Sequence, residues 1–133
     1  MSHQKSFNTL YRSCLRELFC LIESDLYNLN SLDEYHCYSD FDRFLNKFKK
    51  TFKQVCSTWE KEDIQKRYFN VSLEKLKDVK LRRDKVTHPK SPNDLNDATI
   101  DDLERVKMVF EEYTLLVSNL MDGFFVGMKN YPT

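Results

Sequence analysis

From Phe7 to Leu26, apolar side chains recur at Phe7, Leu10, Tyr11, Cys14, Leu15, Leu18, Phe19, Ile22 and Leu26, in steps that keep to one face of a helix. A pleated strand, with its period of two, cannot gather that set. The spacing predicts an amphipathic helix from about Lys5 to Leu29, with Arg12, Arg16, Glu17, Glu23 and Asp25 on the face turned to water. Only two glycines and three prolines punctuate the 133 residues, too few for the tight reversals of a sheet architecture. Helices are expected throughout.

After a turn-forming cluster at Asn28, Asn30, Ser31 and Asp33, Ser39 and the acidic Asp40 and Asp42 suit the positive end of a second helix. Its stripe is Phe41, Phe44, Leu45, Phe48, Phe52 and Val55, reaching towards Trp59, with Lys47, Lys49, Lys50 and Lys53 on the later turns. Phenylalanines can stack on nucleic-acid bases, but at this regular spacing they read as core. Glu60 to Phe69 is highly charged and fits a short helix or an extension of the one before, with Asn70-Val71 as a break. Ser72 opens a further helix whose inward positions are Leu73, Leu76, Val79 and Val86. Pro89 to Ala98 has the composition of a surface loop. Thr99 and Asp102 then resemble a capping box, opening a last helix with the stripe Leu103, Val106, Phe110, Tyr113, Val117 and Leu120. Met108, Val109, Leu115 and Leu116 widen that stripe, which implies deep burial or a partner surface, and a helical homodimer follows as an expectation. Gly123 and Gly127 are expected to interrupt the aromatic tail Phe124, Phe125 and Tyr131. The whole reads as one all-α domain over residues 1–133, an antiparallel up-and-down helical bundle of four to five helices.

Lysine plus arginine and aspartate plus glutamate number 21 each, so no overall charge draws the chain to nucleic acid or membrane, and any basic surface must be local. Cys14, Cys20, Cys37 and Cys56 lack the close pairing of a zinc or redox motif and read as reduced thiols in the core; no metal or other cofactor is expected. His36 beside Cys37 is not taken as a metal site, because adjacent residues diverge. No apolar run approaches the roughly 18 residues of a membrane span and no signal-peptide core is present, so a cytoplasmic protein without membrane contact is expected.

The stretch that carries chemistry is Lys80-Leu81-Arg82-Arg83-Asp84-Lys85-Val86-Thr87-His88-Pro89. Proline restricts the residue before it, so a helix through the arginines must stop near Thr87 or His88. Asp84, four residues before His88, falls within about 40° of it and is placed to accept a proton from one imidazole nitrogen, whereas Arg83 stands about 140° away. A second copy of the chain would bring arginine and histidine together. Histidine exchanges protons near neutral pH and arginine presents a permanent fork of donors to phosphate oxygens, a pair suited to phosphodiester cleavage. The plain alternative is that basic residues complement the negative end of a helix.

Arg83-Asp84-Lys85-Val86-Thr87-His88 resembles the Arg-x4-6-His motif of HEPN domains, in which a polar residue commonly follows the arginine. The resemblance implies a dimerising helical bundle and a metal-independent endoribonuclease of toxin-antitoxin or abortive-infection systems, with an RNA substrate and an antitoxin protein as partner. It would make Arg83 and His88 catalytic and Asp84 their polar support, with Arg82, Lys80 and Lys85 holding RNA. The tyrosine that often follows the histidine by two residues in HEPN toxins is replaced here by Lys90. Some HEPN domains are non-catalytic interaction modules, which is the alternative reading.

Overall fold

The computed structural model describes residues 3–32 and 43–129. It contains five α-helices, α1 (His3–Leu32), α2 (Phe44–Thr58), α3 (Glu62–Val71), α4 (Leu73–Thr87) and α5 (Ile100–Lys129), with a short 3-10 turn at Pro92–Leu95 and no strand among the described residues. The all-α bundle expected from periodicity is therefore the fold. His36, Cys37, Ser39, Asp40, Phe41, Asp42 and Tyr131 lie outside the described residues. So do the side chains of Phe124 and Phe125.

Local chemistry explains the boundaries. α2 begins at Phe44, after Arg43 in extended geometry (φ −70°, ψ 158°), and its first turn carries no acidic residue. It ends in a Schellman motif: Glu60 N–H donates to Ser57 O (3.3 Å) and Lys61 N–H to Cys56 O (2.6 Å). That motif needs a left-handed residue, and Glu60 supplies it at φ 58°. The charged segment after it is accordingly a separate helix and not an extension of α2. Between α3 and α4 the hydrogen bonding runs on through Ser72, from Ser72 N–H to Tyr68 O and from Leu76 N–H to Ser72 O, so the break expected at Asn70-Val71 is a bend. α5 continues through Gly123 and Gly127, which were expected to interrupt it. A glycine in a helix interior costs only about 1 kcal/mol, which a helix of this length absorbs.

One core draws buried side chains from all five helices. Phe48 is fully buried, with ring centroids of Phe52, Tyr68, Phe44, Tyr113 and Phe69 between 4.7 and 6.4 Å away. Tyr113 donates its hydroxyl to Asp25 Oδ2 at 2.5 Å, and Asn30 donates to Thr51 Oγ1 at 2.8 Å, which satisfies polar groups inside an apolar setting. On α5 the buried positions are Val106, Val109, Tyr113, Leu116 and Leu120. Phe110, Met108 and Leu115 are instead exposed, as is Leu10 on α1. The neighbouring helices cover a narrower arc than the apolar stripes span.

Helix directions follow from the contacts. α4 and α5 are antiparallel, because Lys75 meets Glu112 while Arg82 meets Asp102. α1 and α5 run the same way, since Asn8 bonds Ala98 and Asp25 bonds Tyr113. α1 thus lies antiparallel to α4, and the C-terminal half of α4 is laid along the middle of α1, between Arg12 and Glu23.

Candidate functional site at the end of α4

The six residues from Arg83 to His88 occupy the last turn of α4 and its terminus. The final bond of the helix runs from His88 N–H to Asp84 O at 2.8 Å, and His88 itself leaves helical geometry (φ −131°, ψ 69°) ahead of Pro89. Its imidazole is therefore presented to solvent at the helix mouth, as the proline predicts.

Asp84 does not use the partner expected for it. Both its oxygens accept from Lys80 Nζ, each at 2.7 Å, one turn back along α4. A full ammonium charge four residues earlier outcompetes an imidazole whose backbone has already left the helix. Lys80 is held further by the ring of Phe44, 5.7 Å from its nitrogen.

Arg83 turns inward against α1. Its guanidinium carbon lies 5.3 Å from the centre of the Phe19 ring, its Nη2 3.8 Å from Glu23 Oε1 and its Nε 3.5 Å from Asp84 Oδ1. None of these is a hydrogen bond, and the Nε–H is buried without an acceptor. Arg83 is thus held by two long ion pairs, to Glu23 and to Asp84, and by the Phe19 ring.

Arg82 is committed elsewhere. Its Nη1 donates to Asp102 at 2.6 Å and its Nε to Asp78 at 3.1 Å, tying α4 to α5. The buried Tyr11 hydroxyl sits beside it, its pKa raised by burial and by Asp102 against the lowering influence of Arg82. Lys85 is exposed and, with Arg82, lines a cavity of about 450 Å³ shared with Asp78, Asp97 and Asp102. The candidate residues thus divide between two faces of α4, Arg83 towards α1 and Arg82 with Lys85 towards the 3-10 turn. No contact joins Arg83 to His88 among the described residues.

On the α1 side is a groove of about 300 Å³ lined by Arg12, Arg16, Phe19, Cys20, Arg83 and Thr87, among others. Arg12 and Arg16 were legible only as charges on the polar face of α1; their nearness to Arg83 depends on how α1 and α4 pack. Among the described residues no group of three or more His, Cys, Asp or Glu side chains is placed to hold a metal ion. No helix there is long and apolar enough to cross a membrane. Comparison with protein-family models, with curated proteins and with solved structures returns no match.

Proposed function

We propose that this chain is a HEPN-type endoribonuclease, metal-independent and active as a homodimer in the cytoplasm, within a toxin-antitoxin or abortive-infection system that includes an antitoxin protein. The observation that carries the reading is Arg83: its guanidinium lines an open groove, held by long ion pairs and not by hydrogen bonds, on the same helix end as a solvent-facing His88. In a twofold dimer the shared cleft would hold two imidazoles, one from each copy. One, neutral, takes the proton of an RNA 2′-hydroxyl as the 2′-oxygen attacks the adjacent phosphorus. The other, protonated, delivers its proton to the departing 5′-oxygen, and the products are a 2′,3′-cyclic phosphate and a 5′-hydroxyl. Arg83 stabilises charge on the phosphorane oxygens. Asp84, 3.5 Å from the Arg83 Nε, braces the arginine rather than the histidine. Of the other basic residues expected to hold RNA, Lys80 is engaged by Asp84 and Arg82 by Asp78 and Asp102, while Lys85 is exposed on the other face of α4.

The test is cleavage of single-stranded RNA in EDTA by wild type, Arg83→Ala and His88→Ala. A loss of about 10²-fold or more in both variants is expected, the usual contribution of a general acid or base. Cleavage equal to wild type in both variants removes the assignment. A second reading, a non-enzymatic helical interaction module, is favoured by a separate apolar groove of about 520 Å³ between α1 and α5, lined by Leu18, Leu21, Leu103, Val106 and Phe110. Absence of cleavage by any of the three proteins selects that reading.

A further inference from the structure

Three arginines converge from two helices. Arg12 and Arg16 lie one turn apart on α1, and Arg83 faces them from α4 across a floor that includes Leu15, Phe19 and Val86. Four residues of helix rise about 6 Å, a separation on the scale of successive phosphates in an extended strand. Arg12 is exposed and makes no ion pair among the described residues. Arg16 reaches only Glu17, at 3.8 Å between two largely exposed side chains, an interaction worth little and easily exchanged. Glu23 is the one acidic lining residue, and it already stands opposite Arg83 at 3.8 Å. The groove thus presents Arg12 without an ion pair among the described residues and Arg16 only loosely paired, although the chain as a whole carries no net charge.

We propose that the α1–α4 groove is the binding track for single-stranded RNA, in which Arg12 and Arg16 hold successive backbone phosphates and lead the strand to Arg83. This rests on the ribonuclease reading, because Arg83 belongs both to the groove and to the proposed reaction centre. That shared residue favours RNA over an acidic peptide as the occupant. Arg12 and Arg16 are positioning residues in this scheme, not catalytic ones.

Two cysteines make the groove addressable. Cys20 is exposed and lines it, whereas Cys14 lines the apolar groove between α1 and α5. Binding is measured with 2′-O-methyl single-stranded RNA, which cannot be cleaved because its nucleophile is blocked. Arg12→Glu with Arg16→Glu should weaken binding about 10-fold or more and flatten the dependence of log affinity on log salt by about 1.4, at 0.7 per lost phosphate contact. Lys66→Glu, an exposed reversal on α3 away from the groove, should bind as wild type does. In the wild-type protein the same RNA should slow alkylation of Cys20 and leave Cys14 unchanged, a result that does not depend on any variant folding. Unchanged affinity and salt slope in the double reversal, or an unprotected Cys20, overturns the track. Displacement of the RNA by polyglutamate at equal charge concentration also overturns it, in favour of an acidic protein ligand. If cleavage requires Arg83 and His88 while binding ignores Arg12 and Arg16, the groove fails and the ribonuclease reading stands. If nothing is cleaved but binding needs both arginines, the groove stands and the ribonuclease reading falls.

Discussion

Glu60 sits at the left-handed position of the Schellman motif closing α2, where a Cβ is opposed by the carbonyl that follows. Its side chain is exposed, so replacement by glycine loses no packing. Glu60→Gly is expected to stabilise the fold by about 1 kcal/mol, the penalty of a left-handed L-residue, and to raise the thermal midpoint by a few degrees. Cys56, fully buried at 0% exposure, is a second residue with a measurable signature. Burial, aided by the nearby Glu62 and Asp63, pushes its thiol from an ordinary 9.0 up to about 11. The fold therefore favours the protonated thiol. Its contribution is fully present below about pH 9 and is lost as pH rises towards 11, amounting to about 2–3 kcal/mol. Urea unfolding between pH 8 and pH 11 should show that decline, and Cys56→Ala should flatten it between pH 9 and 10. Burial also raises the phenols of Tyr68 and Tyr113, so further loss follows at higher pH.

At the scale of elements, Asp102 joins two helices. Its Oδ2 accepts from Thr99 N–H at 2.9 Å while Thr99 Oγ1 accepts from Asp102 N–H at 3.2 Å, the reciprocal bonds of a capping box. Its other oxygen takes Arg82 from α4. Thr99→Ala should cost about 1 kcal/mol, the usual worth of an N-cap. Asp102→Ala should cost about 2 kcal/mol, because it loses part of the cap and leaves a partly exposed Arg82 with only Asp78. Urea denaturation of both variants measures the difference, and equal costs would mean that the tie to α4 contributes nothing. The cap could be read from Thr99 and Asp102 alone, since its partners stand only three positions apart. The bond from Arg82 joins residues twenty apart and has no local signal. Asp84 illustrates the same limit inside a single helix: Lys80 and His88 are both four residues away, and helical spacing does not choose between them.

For the whole molecule, the core is organised on Phe48 and Tyr113, whose rings lie 6.3 Å apart and belong to α2 and α5. Phe48→Ala should cost about 3–5 kcal/mol, because the ring is fully buried among other rings and the cavity cannot collapse. The loss is read as a fall in the urea midpoint. The apolar excess of α5 has a divided fate. Val109 and Leu116 enter the core, whereas Met108 and Leu115, with Phe110 of the expected stripe, are left exposed at 49%, 61% and 45%. Light scattering at micromolar concentration tests the expected dimer, and a mass of one chain at all concentrations would remove the twofold cleft.

Helical periodicity placed Leu15, Ile22, Phe48, Phe52, Leu76 and Val79 inside, and all six are buried. Proline geometry placed His88 at the mouth of α4. Both depend on dihedral restrictions and a 3.6-residue repeat, which act over a few residues and are legible wherever they occur. What only the tertiary structure decided is that α1 and α5 run the same way, that Leu10 and Phe110 remain outside, and that Arg83 faces Arg12 and Arg16 across one groove. Those outcomes depend on which apolar faces bury one another across distant parts of the chain. That choice is made by the summed fit of every helix at once, and no single stretch of sequence contains it.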